Sequence, residues 1–154
     1  MDCSGESIHK EVERQKLKLQ KLSPILWTKN LKETIAFYET VLGFKSSSNF
    51  PNFVYLSRED VGIMFVLPQD EPEDCKDPDN KEEFFPKAIL TGSIYIYMEH
   101  VDRLWESVRD KAQIKSSLED REYLMRDFSI LDNNGYEIVL ERTLVRKIAE
   151  HWIS

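Results

Sequence analysis

The sequence predicts an α+β fold in which two βαβββ modules follow one another along the chain. Residues 23–27 align with residues 93–97 at an offset of 93 − 23 = 70. Residues 63–65 align with residues 138–140 at an offset of 138 − 63 = 75, so the second copy carries a few extra residues. Apolar positions keep the same phase through both copies, which indicates an internal repeat. We therefore expect one domain built from two related halves.

Module one spans residues 23–67 and begins with a short β-prone run over residues 24–28. Asn30 is the predicted N-cap of the following helix, with Glu33 as its capping-box partner. Apolar residues then repeat at helical spacing as far as Gly43, a residue type that often ends helices. The other predicted elements are a strand over 53–56, a turn over 58–60 and a strand over 61–67, ended by Pro68.

Module two spans residues 92–141 and repeats this order. An Asn-Gly pair within residues 132–135 predicts a tight hairpin turn before the last strand. The other predicted elements are a strand over 93–98, a helix whose apolar face is Val101, Leu104, Trp105 and Val108, and strands over 114–117, 124–131 and 137–141.

Three segments lie outside the modules. Residues 1–22 carry a thin apolar stripe, which predicts a frayed or partner-stabilised helix. Residues 68–91 are rich in acidic residues and proline and predict a linker, since their acidic run lacks the glycine and the spacing of a calcium loop. Residues 142–154 predict a terminal amphipathic helix.

Composition excludes several functional classes. The 154 residues include 21 basic and 28 acidic side chains, a net charge of −7, which argues against nucleic acid and is compatible with a cationic ligand. Cys3 and Cys75 lack a CxxC neighbour, which favours free thiols in a reducing compartment. The first residues lack the apolar run of a signal peptide, and no stretch is long enough to span a membrane. We therefore expect a cytoplasmic protein without a membrane partner.

Three stretches carry a family resemblance as a set. Residues 30–44 read NLKETIAFYETVLGF, a polar turn followed by an AFY-type helix that ends in LGF. In residues 118–128, LEDREYLMRDF, an aromatic residue and an arginine precede an acidic residue and phenylalanine. Residues 132–140 are similar to a DPDG-type turn with its following strand. Together, over residues 23–141, they resemble the vicinal-oxygen-chelate (glyoxalase/bleomycin-resistance/dioxygenase) superfamily, closest to its metal-free bleomycin-resistance-like members.

The resemblance implies that the two modules form a curved mixed sheet, a cup, with alternate strand residues facing the cup or the helices. The residues expected to face the cup are Ser23, Ile25, Trp27, Gly62, Met64, Val66, Ser93, Tyr95, Tyr97, Glu137 and Val139. Those expected to back onto the helices are Leu26, Ile63, Phe65, Ile94, Ile96, Ile138 and Leu140. The second set is entirely apolar and the first is mixed, as this arrangement requires.

Metal enzymes of the superfamily place one ligand on each of four cup strands. The resemblance puts those points at Ser23, Met64, Ser93 and Val139, none of which offers the imidazole or carboxylate that a divalent ion needs. His9, His100 and His151 lie in the extension, at a strand-to-helix turn and in the tail, so we read them as solvated or capping residues. We expect no bound metal and no cofactor.

The predicted function is the binding of a small molecule in an aromatic cup. The predicted ligand-binding residues are Trp27, Phe50, Tyr55, Met64, Ser93, Tyr95, Tyr97, Arg126, Glu137 and Val139. Dense aromatic residues with a few polar groups suit a flat or cationic organic ligand, although they also occur as ordinary core. Arg126 and Glu137 are the charged contacts, or else form a rim salt bridge.

Three functions follow from this reading. The preferred one is a metal-free binder similar to bleomycin-resistance proteins, which sequester a drug, without established catalytic residues. The alternative is an enzyme, of lyase, isomerase or dioxygenase type, that uses Glu137 with Arg126 or a tyrosine for proton transfer. The third is a non-catalytic module whose cup is filled by a partner chain. We also predict a homodimer with the terminal helix near its interface.

Overall fold

The computed structural model describes residue 10 and residues 17–48, 50–68 and 90–144. In the first module the elements are β1 (Ile25–Trp27), α1 (Leu31–Val41), β2 (Lys45–Ser47), β3 (Phe53–Arg58) and β4 (Val61–Val66). In the second they are β5 (Ile94–Tyr97), α2 (Val101–Val108), β6 (Gln113–Asp120), β7 (Met125–Leu131) and β8 (Glu137–Thr143). The order is βαβββ twice, which confirms the predicted fold class.

Two four-stranded mixed sheets follow the same pattern. Their strand orders are β1-β4-β3-β2 and β5-β8-β7-β6, with the first strand of each module parallel to its last strand. Ile25 lies opposite Met64 in the first sheet, and Tyr95 lies opposite Val139 in the second. These pairs differ by 95 − 25 = 70 and 139 − 64 = 75, so the repeat read from the sequence holds in the strand register.

Local sequence sets the bounds of α1. The side chain of Asn30 accepts a hydrogen bond from the N–H of Glu33 at 3.1 Å, which confirms the N-cap. The reciprocal half of the capping box is replaced, because the N–H of Asn30 donates to Thr28 Oγ1 at 3.2 Å. Gly43 follows the last turn at φ 68°, a left-handed conformation that glycine adopts without steric cost.

Two strands differ from the prediction. The edge strand β2 reads Lys-Ser-Ser and is exposed at every position, so no apolar alternation marks it in the sequence. Strand β6 is longer than the predicted 114–117, because its irregular pairing with β7 resumes at Glu119 opposite Asp127. The predicted helix over 142–154, the linker over 68–91 and the extension over 1–22 lie largely outside the described residues.

A buried polar cluster joins the modules at what we call the first junction, where α1 meets residues 132–136 of the β7–β8 turn. The hydroxyl of Tyr38 donates to Asp132 Oδ2 at 2.8 Å, and both residues are buried. Asp132 Oδ1 accepts the N–H groups of Asn134 and Tyr136, each at 2.9 Å. Thr28 donates to Asn134 Oδ1 at 2.7 Å. The turn of module two is thereby fixed against the helix of module one.

Candidate functional site

Each sheet has one face covered by a helix and one face turned away from it, which we call the open face. The covered residues are buried and form the core: Leu26, Val54, Leu56, Ile63 and Phe65 in the first sheet, and Ile96, Phe128, Ile130, Ile138 and Leu140 in the second. Ile94 is partly buried and packs against the same core. The residues predicted to back onto the helices therefore do so, and strand alternation places their neighbours on the open face.

The open face of the first sheet is apolar and aromatic. Ile25, Met64 and Tyr55 lie side by side on β1, β4 and β3, and the next row holds Trp27 beside Val66. Three predicted ligand-binding residues, Trp27, Tyr55 and Met64, are thus brought to one surface. The fourth, Phe50, lies in the β2–β3 connection with 71% of its surface exposed.

Tyr55 crosses the open face over Gly62. A Cβ atom built on Gly62 would lie 2.3 Å from the Tyr55 hydroxyl oxygen, so only glycine leaves room for the ring. That hydroxyl is buried and has no hydrogen-bond partner among the described residues, while Lys21 Nζ lies 4.4 Å from the ring centre. A ligand acceptor beside this hydroxyl would supply the missing hydrogen bond.

We expect Gly62→Ala to lower the free energy of unfolding by about 1–3 kcal/mol, because the methyl group forces Tyr55 out of its place. Tyr55→Phe should change stability little by itself, since it removes a hydroxyl without a partner among the described residues. In the double variant the loss should be smaller than in Gly62→Ala alone. Urea unfolding of the three variants measures this, and an unchanged stability of Gly62→Ala would contradict the proposed clash with Tyr55.

The open face of the second sheet is polar and rich in tyrosine. Tyr95 lies beside Val139 and Ser129, and Tyr97 lies beside Glu141, which pairs with Asp127. At one end Ser93 donates to Glu137 Oε2 at 2.8 Å. The predicted residues Ser93, Tyr95, Tyr97, Glu137 and Val139 are thus brought together, although none of the contacts described here joins them to the open face of the first sheet.

Three further residues on this face, Asp127, Ser129 and Glu141, were not predicted from the sequence. All three are buried. Strand alternation offered the signal, because Glu137 and Val139 predict that Glu141 faces the same way. The strand predicted from the sequence ends at Glu141, whereas β8 continues to Thr143.

Two of the three carboxylates on this face are paired. Asp127 accepts hydrogen bonds from Arg121 Nε at 2.9 Å and from the Tyr123 hydroxyl at 2.7 Å. Glu137 accepts a hydrogen bond from Lys115 Nζ at 2.7 Å. The Lys115 hydrogen bond, with the one from Ser93, holds the pKa of Glu137 below its ordinary value despite partial burial.

Glu141 is the exception. It is buried, with 3% of its surface exposed, and no lysine or arginine of the described ranges forms an ion pair with it. Burial, reinforced by the charge of Asp127, raises the pKa of Glu141. Partial desolvation of the Tyr95 hydroxyl, followed by the charges of Glu141 and Asp127, raises the pKa of Tyr95. The open face of the second sheet therefore carries negative charge that its own cations do not fully offset.

Arg126 does not lie with the other predicted residues. It alternates with Asp127 on β7 and so shares the helix-covered side with Phe128, where its guanidinium bonds Asp120 Oδ1 at 2.5 Å and Asp102 Oδ1 at 3.0 Å. The alternation of buried Phe128 and Ile130 with Ser129 fixes the phase of the strand. The predicted contact between Arg126 and Glu137, whether a rim salt bridge or an acid–base pair, is therefore not formed.

The four residues expected at the superfamily's metal-ligand points carry neither an imidazole nor a carboxylate. They hold two hydroxyls, a thioether and an apolar side chain: Ser23, Ser93, Met64 and Val139. Within the described ranges no group of three His, Cys, Asp or Glu side chains could hold a metal ion. His100 occupies the N-cap position of α2 without a side-chain capping bond, and His9, His151, Cys3 and Cys75 lie outside the described residues.

No helix in the described part of the chain combines the length and the apolar character that crossing a membrane requires.

Solved structures share the fold at low sequence identity. A protein of unknown function from Agrobacterium tumefaciens str. C58 aligns with TM-score 0.62 and 19% identity, covering 82% of this chain and 96% of its own. A glyoxalase/bleomycin resistance protein/dioxygenase from Alicyclobacillus acidocaldarius aligns with TM-score 0.62 and 16% identity, covering 84% and 95%. TioX from Micromonospora sp. ML1 gives the same score and identity, covering 82% and 100%.

Among curated protein sequences, none matches this chain significantly. The sequence profile of one family does match, and it extends over residues 20–140, which include module one and all but the last residue of module two. With the repeated βαβββ topology and the two open faces, this match shows that the chain belongs to the Glyoxalase/Bleomycin resistance protein/Dioxygenase superfamily.

Proposed function

We propose that the chain is a metal-free binding protein of the bleomycin-resistance-like type, which holds a flat organic cation on the open face of the second sheet. The observation that carries the proposal is Glu141, a buried carboxylate beside Asp127 and without an ion pair among the described residues. Burying an unpaired charge costs stability. A cationic ligand would offset that cost, so the unpaired carboxylate of Glu141 would be more favourable in the ligand-bound protein than in the free protein.

Aromatic rings flank this carboxylate. Tyr95, Tyr97 and Tyr123 have 50%, 54% and 58% of their surface exposed on or beside the open face. A cation over a tyrosine ring is stabilised by the negative charge of the ring face, and carboxylates beneath the rings add to the attraction. A cation that is also planar would gain apolar contact with the same rings.

The open face of the first sheet offers a second apolar surface, made of Trp27, Tyr55 and Met64. It carries the buried Tyr55 hydroxyl but none of the buried carboxylates found on the second sheet. We infer that it contacts the uncharged part of a ligand. Phe50, exposed in the neighbouring connection, is placed to extend this apolar surface.

Glu141→Gln tests the proposal because stability and affinity should move in opposite directions. At neutral pH the variant should be more stable by about 1 kcal/mol, since it removes a buried charge without adding bulk. The same change should weaken binding of ethidium, a planar cation, by roughly tenfold, since a close unscreened charge contact contributes on the order of 1–3 kcal/mol. Thermal melting and fluorescence titration measure the two effects.

The pH dependence gives an independent check. The pKa of Glu141 is raised in the folded protein, so its ionisation destabilises the fold as pH rises through the window between the ordinary and the raised value. The stability advantage of Glu141→Gln should therefore shrink as pH falls below that window. Glu137→Gln is the matched control: Glu137 is already paired with Lys115, so this change should not stabilise the protein. Stabilisation by Glu137→Gln and not by Glu141→Gln would refute the proposal.

A second candidate is a proton-transfer enzyme, and the raised pKa of Glu141 favours it. Glu141, beside Tyr97 and near Tyr95, would then act as the general base in place of the predicted Glu137 with Arg126. A mass-spectrometric screen of co-purifying small molecules separates the two candidates: a binder retains one unchanged compound, whereas an enzyme converts it.

We predict that the purified protein carries no stoichiometric transition metal, because Ser23, Met64, Ser93 and Val139 provide no imidazole or carboxylate at the superfamily's ligand points. Elemental analysis of protein purified without chelators and without a metal-affinity tag measures this. One equivalent of zinc, nickel, iron or manganese would contradict the prediction.

A further inference from the structure

The internal repeat creates a second place where a helix of one module faces the last hairpin turn of the other. At this second junction, α2 lies across from residues 58–61 of the β3–β4 turn, and between them is a cavity of about 810 Å³. We propose that this cavity is a separate ligand site for an apolar molecule that carries a carboxylate. Its volume lies within the range of small-molecule pockets, roughly 300–1,000 Å³.

The sequence explains why one junction is closed and the other open. At the first junction the hydroxyl of Tyr136 reaches the carbonyl oxygen of Trp27 at 3.0 Å, and the helix presents Thr34, which accepts hydrogen bonds from the turn. The offsets of 75 and 70 put Val61 in place of Tyr136 and Leu104 in place of Thr34. The second junction therefore lacks both the ring that fills the gap and the hydroxyl that binds the turn.

The inner wall of the cavity is apolar. Buried side chains from the end of α1, from the residues that follow it, and from β5 and β8 form it: Val41, Leu42, Phe44, Ile96 and Leu140. Ile96 and Leu140 belong to the helix-covered side of the second sheet, opposite the open face that carries Glu141. Tyr97 is the one residue of the site proposed above that also lines the cavity, and the cavity's apolar wall lies on the other side of the sheet from Glu141, so the two proposals can fail independently.

Two guanidinium groups lie among the lining residues of the cavity, those of Arg58 and Arg103. Arg58 Nη1 donates to the carbonyl oxygen of Leu42 at 2.8 Å, which holds the guanidinium against the inner wall, and Arg58 Nε forms an ion pair with Glu59 at 3.3 Å. Arg103, on α2, also lines the cavity and forms no ion pair with the described residues. The acidic lining residues are Glu59, Asp60 and Glu99; the side chains of Glu59 and Glu99 are 77% and 93% exposed, and Glu59 is already paired with Arg58. Guanidinium groups beside an apolar wall suit a carboxylate attached to an apolar chain or ring.

Titration of the full-length ¹⁵N-labelled protein with decanoate tests the location. We expect saturable shifts of the amide resonances of residues 40–44, 58–61 and 103–107, which surround the cavity. Shifts confined to the open faces, or no saturable shift, would overturn the proposal.

Val61→Tyr introduces at the second junction a tyrosine, the residue type that fills the first junction. Because the ring would occupy the cavity, we expect decanoate binding to weaken by roughly tenfold or more. Val66→Tyr is the matched control: it makes the same change on the same strand but on the open face, and should leave decanoate binding unchanged. Circular dichroism verifies that both variants are folded. Equal effects of the two substitutions would overturn the assignment to the cavity.

The anionic group is tested with decan-1-ol, which has the same chain without the carboxylate. It should bind roughly tenfold more weakly than decanoate to the unmodified protein. In Arg103→Met, whose side chain is exposed, decanoate should lose affinity while decan-1-ol keeps it. Equal affinity for the two compounds in the unmodified protein would overturn the charge assignment.

Discussion

Replacement of Asp132 by alanine is expected to lower the free energy of unfolding by about 3–4 kcal/mol, the largest loss we foresee for a single change. The carboxylate accepts hydrogen bonds from the Tyr38 hydroxyl and from the N–H groups of Asn134 and Tyr136. Alanine would leave three donors without partners at a buried site and would release the turn from α1. Urea unfolding measured by circular dichroism reports the loss.

Two further variants apportion the effect of Asp132. Tyr38→Phe removes one of the three hydrogen bonds and should cost about 1–2 kcal/mol. Asp132→Asn keeps a side-chain oxygen for the two backbone N–H groups, so it should cost less than alanine. Burial raises the pKa of Asp132, so its charge is not what stabilises the turn. A loss in Asp132→Asn as large as that in Asp132→Ala would contradict this account.

The second large effect is expected at Arg121, whose replacement by methionine should lower the free energy of unfolding by about 2–4 kcal/mol. Its guanidinium bonds Asp127 Oδ1 at 2.9 Å, Glu119 Oε2 at 2.8 Å and Ser116 Oγ at 2.7 Å. Methionine would leave Asp127 buried beside Glu141, with the Tyr123 hydroxyl as a remaining donor. Two neighbouring buried carboxylates would then lack a cation.

Arg126→Met is the matched control for Arg121. Arg126 also bonds two carboxylates, those of Asp120 and Asp102, but their side chains are 51% and 52% exposed, whereas that of Asp127 is 6% exposed. Because exposed ion pairs contribute little, we expect a loss of no more than about 1 kcal/mol. Equal losses in the two variants, measured by urea unfolding, would show that burial of Asp127 is not what makes Arg121 important.

The sequence predicts the fold well because the same pattern of core residues occurs in both modules. The apolar phase of Leu26, Ile63 and Phe65 returns in Ile96, Ile138 and Leu140, and the helices begin at Leu31 and Val101, an offset of 70. Strand β2 could not be predicted in the same way, because an exposed edge strand buries nothing and needs no apolar alternation. The first junction was also unpredictable, since the hydrogen bonds between its two modules join residues 94 to 109 positions apart.

The candidate site was predicted in part. The phase of each strand correctly assigns Trp27, Tyr95 and Glu137 to open faces. Arg126 was assigned from its place in a motif rather than from the strand phase, which puts its neighbour Asp127 on that face instead. Burial of Glu141 depends on the side chains around it, which a single sequence does not reveal. Homodimer formation and the cytoplasmic location stay predictions.

The polar cluster at the first junction also bears on how the protein folds. Tyr38 is fully buried, yet the acceptor for its hydroxyl is supplied by a turn synthesised 94 residues later. Until that turn is in place, the Tyr38 hydroxyl on α1 of module one is exposed to water. Module one also lacks the contact between Phe65 and Tyr136, whose ring centres lie 6.2 Å apart. Such distant contacts raise contact order and slow folding. We therefore expect the two halves to gain their stability together and to unfold in a single transition.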